Sequence, residues 1–195
     1  MDISIFKFWG KWATATIVGY ILSFFAYLLL GFSAWRSTYS QFDTWLSLIG
    51  VGFLVSLLQS EVLRKKVDIF ILWIIATVLG WAIGIPVAGF FAYQFGWMMF
   101  APFFGLCIGI SQWLVLRQKF HLSGVWVLVP LITWMLSLSA IGDFLLKNGD
   151  VDGAGFLLII LPAGLTFIGL VESVLAGGVI TWLVHKKYEA VTSKP

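Results

Sequence analysis

The chain has 195 residues, 61% of them hydrophobic and only 11% charged, with a mean hydropathy of +1.00 and a formal net charge of +3. A soluble domain carries about 25% charged residues, whereas the apolar residues here fall in runs of about 20, the length a helix needs to cross a bilayer. These figures exclude a soluble globular enzyme and a nucleic-acid binder, and they leave no polar stretch long enough for a separate soluble domain.

The apolar runs predict an all-α integral membrane bundle of six transmembrane helices, over about 12–32, 44–63, 69–92, 97–116, 124–146 and 155–184. The first run is too long for a signal peptide and lacks a small-residue cleavage site, so it is expected to stay as a span. Lys7 and Lys11 precede it; Arg64, Lys65 and Lys66 follow the second span, Arg117 and Lys119 the fourth, and Lys186, Lys187 and Lys194 the sixth. Those ten of the twelve basic residues fall on one side, leaving Arg36 and Lys147 beside Asp43, Asp143, Asp150 and Asp152 on the other. The positive-inside rule then puts both termini in the cytoplasm. Trp9, Trp12, Trp35, Trp45, Trp97, Trp126 and Trp182 stand near predicted helix ends and read as an interfacial aromatic belt. Pro86 and Pro130 are expected to bend the third and fifth helices. The sixth run would be about 45 Å long as straight helix, so Pro162 and Gly164 are expected to mark a bend, with 154–161 at the outer interface.

The even-numbered spans repeat. Residues 59–67 align with 112–120 at an offset of 53, and Gln, Val, Leu, Arg and Lys are identical at five of the nine positions. A degraded third copy runs from Ser173 to Tyr188, with Ile180 in place of the Gln and His185 in place of the Arg. The odd spans align on Trp12, Trp73 and Trp126. The chain therefore reads as three helical hairpins in parallel orientation, over about 12–66, 69–120 and 124–188.

Small residues four apart line these helices: Gly52 and Ser56, Gly105 and Gly109, Ser173 and Gly177. In lipid, helices associate through close approach at such residues and through a few interhelical hydrogen bonds. Gln59 and Gln112 lie on the same stripes, inside the basic residues, and a buried amide needs a partner. Both are read as polar glue, and Arg64, Arg117 and His185 as cytoplasmic anchors.

The segment Gly105 to Arg117, with the pattern G-x-x-x-G-x-x-Q-W-L-V-L-R, resembles the repeated signature of uncharacterised multi-pass membrane proteins of bacteria, often cyanobacteria. The resemblance is clearest from about residue 44 to 140. It implies a small protein of a plasma or thylakoid membrane, and it brings no activity and no site residues.

Candidate chemistry is sparse. Gly105 to Gly109, G-L-C-I-G, has the outline of a nucleophile elbow, yet Cys107 falls inside a membrane span with no histidine near it in sequence. No spacing of Cys, His or acidic residues suits a metal. Gln59 or Gln112 could ligate a pigment magnesium, but packing amides are far commoner. Glu61 is three and four residues before Arg64 and Lys65, the spacing of an intrahelical ion pair. Glu172 stands apart: twelve residues before Val184, it falls about 18 Å inside the cytoplasmic end, close to the bilayer midplane. An intramembrane carboxyl is a functional candidate by default. Loss of hydration favours its neutral form, and Ser137, Thr133 and Ser23 are the expected partners.

The sequence thus supports a non-enzymatic integral membrane protein without a cofactor, lipid or pigment binding being a minor possibility. Its expected role is that of an accessory, assembly or scaffold partner of a larger membrane complex, or of a homo-oligomer. The alternative is a carrier or channel for a proton, ion, lipid or small solute that uses Glu172.

Overall fold

The computed structural model describes residues 3–34, 41–64, 67–147 and 161–192. Trp35, Arg36, Lys65, Lys66, Asp150, Asp152, Lys194 and the segment 154–160 lie outside these residues, as do the side chains of Asp43, Asp143, Lys147 and Lys187.

A backbone in lipid must satisfy its N–H and C=O groups within its own segment, which makes helix the outcome for each long apolar run. Six long α-helices occur among the described residues: α1 (Ile3–Ala34), α2 (Gln41–Leu63), α3 (Phe70–Phe95), α4 (Phe100–Leu116), α5 (Leu128–Lys147) and α6 (Leu161–Thr192). Described stretches in five of the six, α2 to α6, are long and apolar enough to cross a membrane. No strand is found among the described residues. Gly96, at φ 98°, ends α3, and a 3-10 turn at Trp97–Met99 leads into α4; that φ suits glycine because a Cβ there is strained.

Three boundaries or bends differ from expectation. The first helix begins at Ile3 rather than near residue 12, because the Ile-Ser-Ile-Phe segment extends the apolar pattern past Lys7 and Lys11. The last extends to Thr192, past the basic residues at 185–187. Pro130 falls at the third position of α5, after a 3-10 turn at Ser123–Val127. It therefore sits in the first turn, where its missing N–H breaks no helical bond, and the bend expected inside that helix has no cause. Pro86, by contrast, does lie inside α3.

Each helix packs on its neighbours in the chain, and α6 packs back on α1, closing the set into a ring. Two apolar clusters fill the interior. One gathers Trp12, Trp73, Trp126, Leu116, Ile180 and Leu183. The other gathers Tyr20, Val55, Trp81, Phe104, Ile108 and Trp134. Trp12 is 0% and Trp126 1% exposed, so neither belongs to an interfacial belt. Both are core residues, because the ring turns the aligned tryptophans of α1 and α3, and that of the turn leading into α5, towards one another. Trp97, at 68%, is exposed as a belt residue would be.

Close approach follows the small residues. A Cβ on Gly109 would stand 2.7 Å from the Val127 carbonyl oxygen, and one on Gly105 would stand 2.7 Å from the Leu131 Cα. On Gly52 it would meet the Trp81 ring at 2.6 Å, and on Gly177 the Trp9 ring at 2.6 Å. Ser56, wholly buried, donates to the Phe53 carbonyl of its own helix at 2.9 Å.

Candidate functional site

Between the two apolar clusters lies a polar layer. Its unit is a glutamine held by a threonine and a tryptophan. Gln59, on α2, donates from Nε2 to Thr16 Oγ1 on α1 at 3.1 Å, and its Oε1 accepts from Trp73 Nε1 on α3 at 3.2 Å. Gln112, on α4, repeats the pattern: it donates to Thr77 Oγ1 on α3 at 3.0 Å and accepts from Trp126 Nε1 at 2.9 Å. Each amide therefore ties three consecutive segments together. Both glutamines are buried, at 0% and 3% exposed.

The third aligned position breaks the pattern in a consistent way. Ile180 is wholly buried and offers no acceptor, and Trp12 Nε1, the aligned indole, has no hydrogen-bond partner. Pro130 aligns with Thr16 and Thr77, four residues after the tryptophan in each case, so the hydroxyl that an amide would need is missing as well. The three indoles nonetheless converge: ring centroids lie 5.9 Å apart for Trp12–Trp73, 6.1 Å for Trp12–Trp126 and 5.5 Å for Trp73–Trp126, all edge-to-face. That geometry places ring edges against ring faces, the favoured aromatic arrangement.

Glu172 joins this layer from α6. Its Oε2 accepts from the Tyr20 hydroxyl at 2.7 Å and its Oε1 from Gln59 Nε2 at 2.9 Å. The partners expected from sequence are not the ones used. Thr133 and Ser137 hydroxyls have no hydrogen-bond partner, and Ser23 donates to the Gly19 and Val51 carbonyls. The reason is packing order: α6 lies against α1, so Glu172 meets Tyr20 and the amide behind it. A carboxylate accepts both bonds as they stand, whereas a neutral acid would reverse the Tyr20 bond and donate to the phenol oxygen.

Glu172, Tyr20, Gln59, Thr77 and Gln112 share a central cavity with Trp81, Trp134 and Pro130. The cavity offers only about 10 Å³ to the centre of a water molecule, room for about one water. The three indoles of Trp12, Trp73 and Trp126 meet edge-to-face on one side of it. On the other side Trp81 and Trp134 are 5.7 Å apart, with Phe104 edge-on to both at 5.0 and 4.6 Å.

The remaining candidates lie elsewhere. Arg64 pairs with Glu61, Nε to Oε2 at 2.7 Å, and Arg117 lies over the Trp113 ring at 5.4 Å. His185 is exposed near the end of α6. Cys107 is in mid-helix on α4, without the strand-to-helix turn of a nucleophile elbow. Among the described residues no three His, Cys, Asp or Glu side chains converge as a metal site would require. A pigment finds no open face on Gln59 or Gln112, since each amide oxygen is buried against an indole N–H. Sequence reasoning missed Tyr20 as a partner of the carboxyl, and Thr16, Thr77, Trp73 and Trp126 as partners of the amides. The signal was present in the constant spacing of 14 residues from Gln59 to Trp73 and from Gln112 to Trp126.

Comparison with known proteins adds no relative: no protein-family model, no curated protein and no solved structure matches the chain.

Proposed function

We propose that the chain is an integral membrane protein of six spans, three helical hairpins in parallel orientation closed into a ring with both termini cytoplasmic, and that it serves as a non-enzymatic accessory or assembly partner of a larger complex in a bacterial plasma or thylakoid membrane. One observation carries this reading above all: the interior is latched and filled. Buried amides, aromatic layers and a one-water cavity suit a rigid scaffold, whereas a conduit needs a path. The outer surface is apolar in the way a lipid- or partner-facing surface is. Ile71, Leu72, Ile75, Leu79 and Ile83 are exposed along α3, and Tyr93, Phe95, Trp97 and Met98 form an aromatic-rich rim at the α3–α4 turn.

The test is to tag the full chain, extract it from its native membrane in mild detergent and identify what co-purifies by mass spectrometry. A stoichiometric membrane-protein partner is expected. Purification as the isolated chain, with no partner after crosslinking in the intact membrane, would overturn the accessory role.

A carrier remains the second reading, and Glu172 in a polar cavity is what favours it. Glu172→Gln separates the two. A scaffold keeps its complex and shows no flux before or after the change, whereas a carrier shows proton-coupled uptake in proteoliposomes that the change abolishes.

A further inference from the structure

A second concavity lies outside the polar layer, on the outer face between α1 and α2. It is a groove of about 880 Å³. Lys7 and Lys11 line its mouth beside Phe6 and Phe8, and Ala15, Val18 and Leu58 wall its deeper part. The two lysines are one helical turn apart on one face of α1 and both are exposed. The carboxylate at the groove, Glu61, is engaged by Arg64, so the mouth keeps a net positive charge.

From Lys7 to Val18 is about 16 Å along the helix, close to the roughly 15 Å of hydrocarbon in one leaflet. A cationic mouth above an apolar trough of that depth has the polarity profile of one phospholipid, headgroup out and acyl chain in. The feature is confined to this hairpin. At the positions aligned with Lys11, Thr14 and Val18, α3 carries Leu72, Ile75 and Leu79, and the third copy carries Val125, Leu128 and Ile132. At the position aligned with Lys7 they carry Asp68 and His121, so neither repeats the pair of lysines one turn apart.

We infer that the α1–α2 groove is a binding site for one anionic phospholipid, its phosphate held between Lys7 and Lys11 and one acyl chain laid against Val18 and Leu58. The inference rests on the membrane reading and is independent of the accessory role. Lysine side chains reach such headgroups by extending along the apolar surface, and each basic residue near the membrane surface is worth roughly fivefold in binding an anionic lipid.

The experiment uses the full chain in nanodiscs of equal phosphatidylglycerol and phosphatidylcholine, followed by native mass spectrometry of the lipid retained after release. Wild-type protein is expected to keep one phosphatidylglycerol in preference to phosphatidylcholine. Lys7→Gln with Lys11→Gln lowers that preference by roughly fivefold per lysine, while Lys7→Arg with Lys11→Arg keeps it. Val18→Trp fills the trough and lowers retention with the charge intact; circular dichroism checks that each variant is folded. A double Gln variant with the wild-type lipid ratio would overturn the site. Protein that enters phosphatidylcholine nanodiscs but shows no preference refutes the groove alone. Protein that enters neither refutes the membrane reading and the groove with it.

Discussion

Replacing Gln112 by Leu keeps side-chain volume and removes one amide from the polar layer. Two bonds vanish, the 3.0 Å bond to Thr77 and the 2.9 Å bond from Trp126. The Trp126 indole N–H and the Thr77 hydroxyl lose their amide partner in a site where Gln112 itself is 3% exposed. Interhelical hydrogen bonds inside membranes average about 0.6 kcal/mol and reach about 1.7 kcal/mol. Two of them predict a loss of about 1–3 kcal/mol of bundle stability. Gln59→Leu removes three such bonds, to Thr16, Trp73 and Glu172, and strips the carboxyl of one of its two donors, so its loss should be larger. Gln118→Leu is the control. That amide is exposed and bonds only to the Leu114 carbonyl one turn back, at 3.4 Å. Unfolding in mixed micelles by titration with sodium dodecyl sulfate, followed by circular dichroism, gives the three midpoints. The expected order of loss is Gln59 above Gln112 above Gln118, with Gln118 near zero. If Gln112→Leu unfolds with the control or later, the amide holds nothing together and the latch argument is refuted.

Gly109→Leu should cost about 1–3 kcal/mol or more as overpacking, because its Cβ would press on the Val127 backbone; Gly89→Leu, whose Cβ meets nothing within 4 Å, should be close to neutral in the same titration. Ala101→Leu should also cost stability, since Ala101 is buried in the core. Trp73→Phe should destabilise by about 1 kcal/mol more than Trp12→Phe, since the first leaves the Gln59 amide oxygen without its indole donor and the second removes an N–H that has no partner. Thermal unfolding of the two variants checks this, and equal shifts would count against the difference drawn between the two indoles.

Much of this interior was legible in the sequence because lipid simplifies the problem. With the helices dictated by apolar length, the informative residues are the few polar or small ones, and Gly105, Gly109, Gln59 and Gln112 stand out by their common offset. Trp12 was not legible. Tryptophan near a helix end reads as an interfacial residue, yet with α1 starting at Ile3 this one lies well inside the helix and turns inward. Trp126 misled for a related reason. It precedes its α-helix, in a 3-10 turn that Gly109 brings close against α4. The partners of Glu172 depend on which helix the last one packs against. Ring closure between α6 and α1 is a long-range fact that no local pattern encodes. Tyr20 reads in sequence as one more aromatic on an apolar helix, and only closure makes it the donor to a carboxyl.

The two amide latches and the Glu172 contact differ in how far apart along the chain their partners lie. Gln59 and Trp73 are 14 residues apart, as are Gln112 and Trp126, but Tyr20 and Glu172 are 152 apart. A ribosome delivers the chain from its N-terminus, and segments made early associate before later ones exist. The first latch can close as soon as the third helix begins to emerge, and the second once the turn before the fifth is out. The carboxyl has to wait for the last helix and then reach back to the first. Until then the Tyr20 hydroxyl on α1 and one edge of the Gln59 amide stay open. The arrival of Glu172 is the event that closes both.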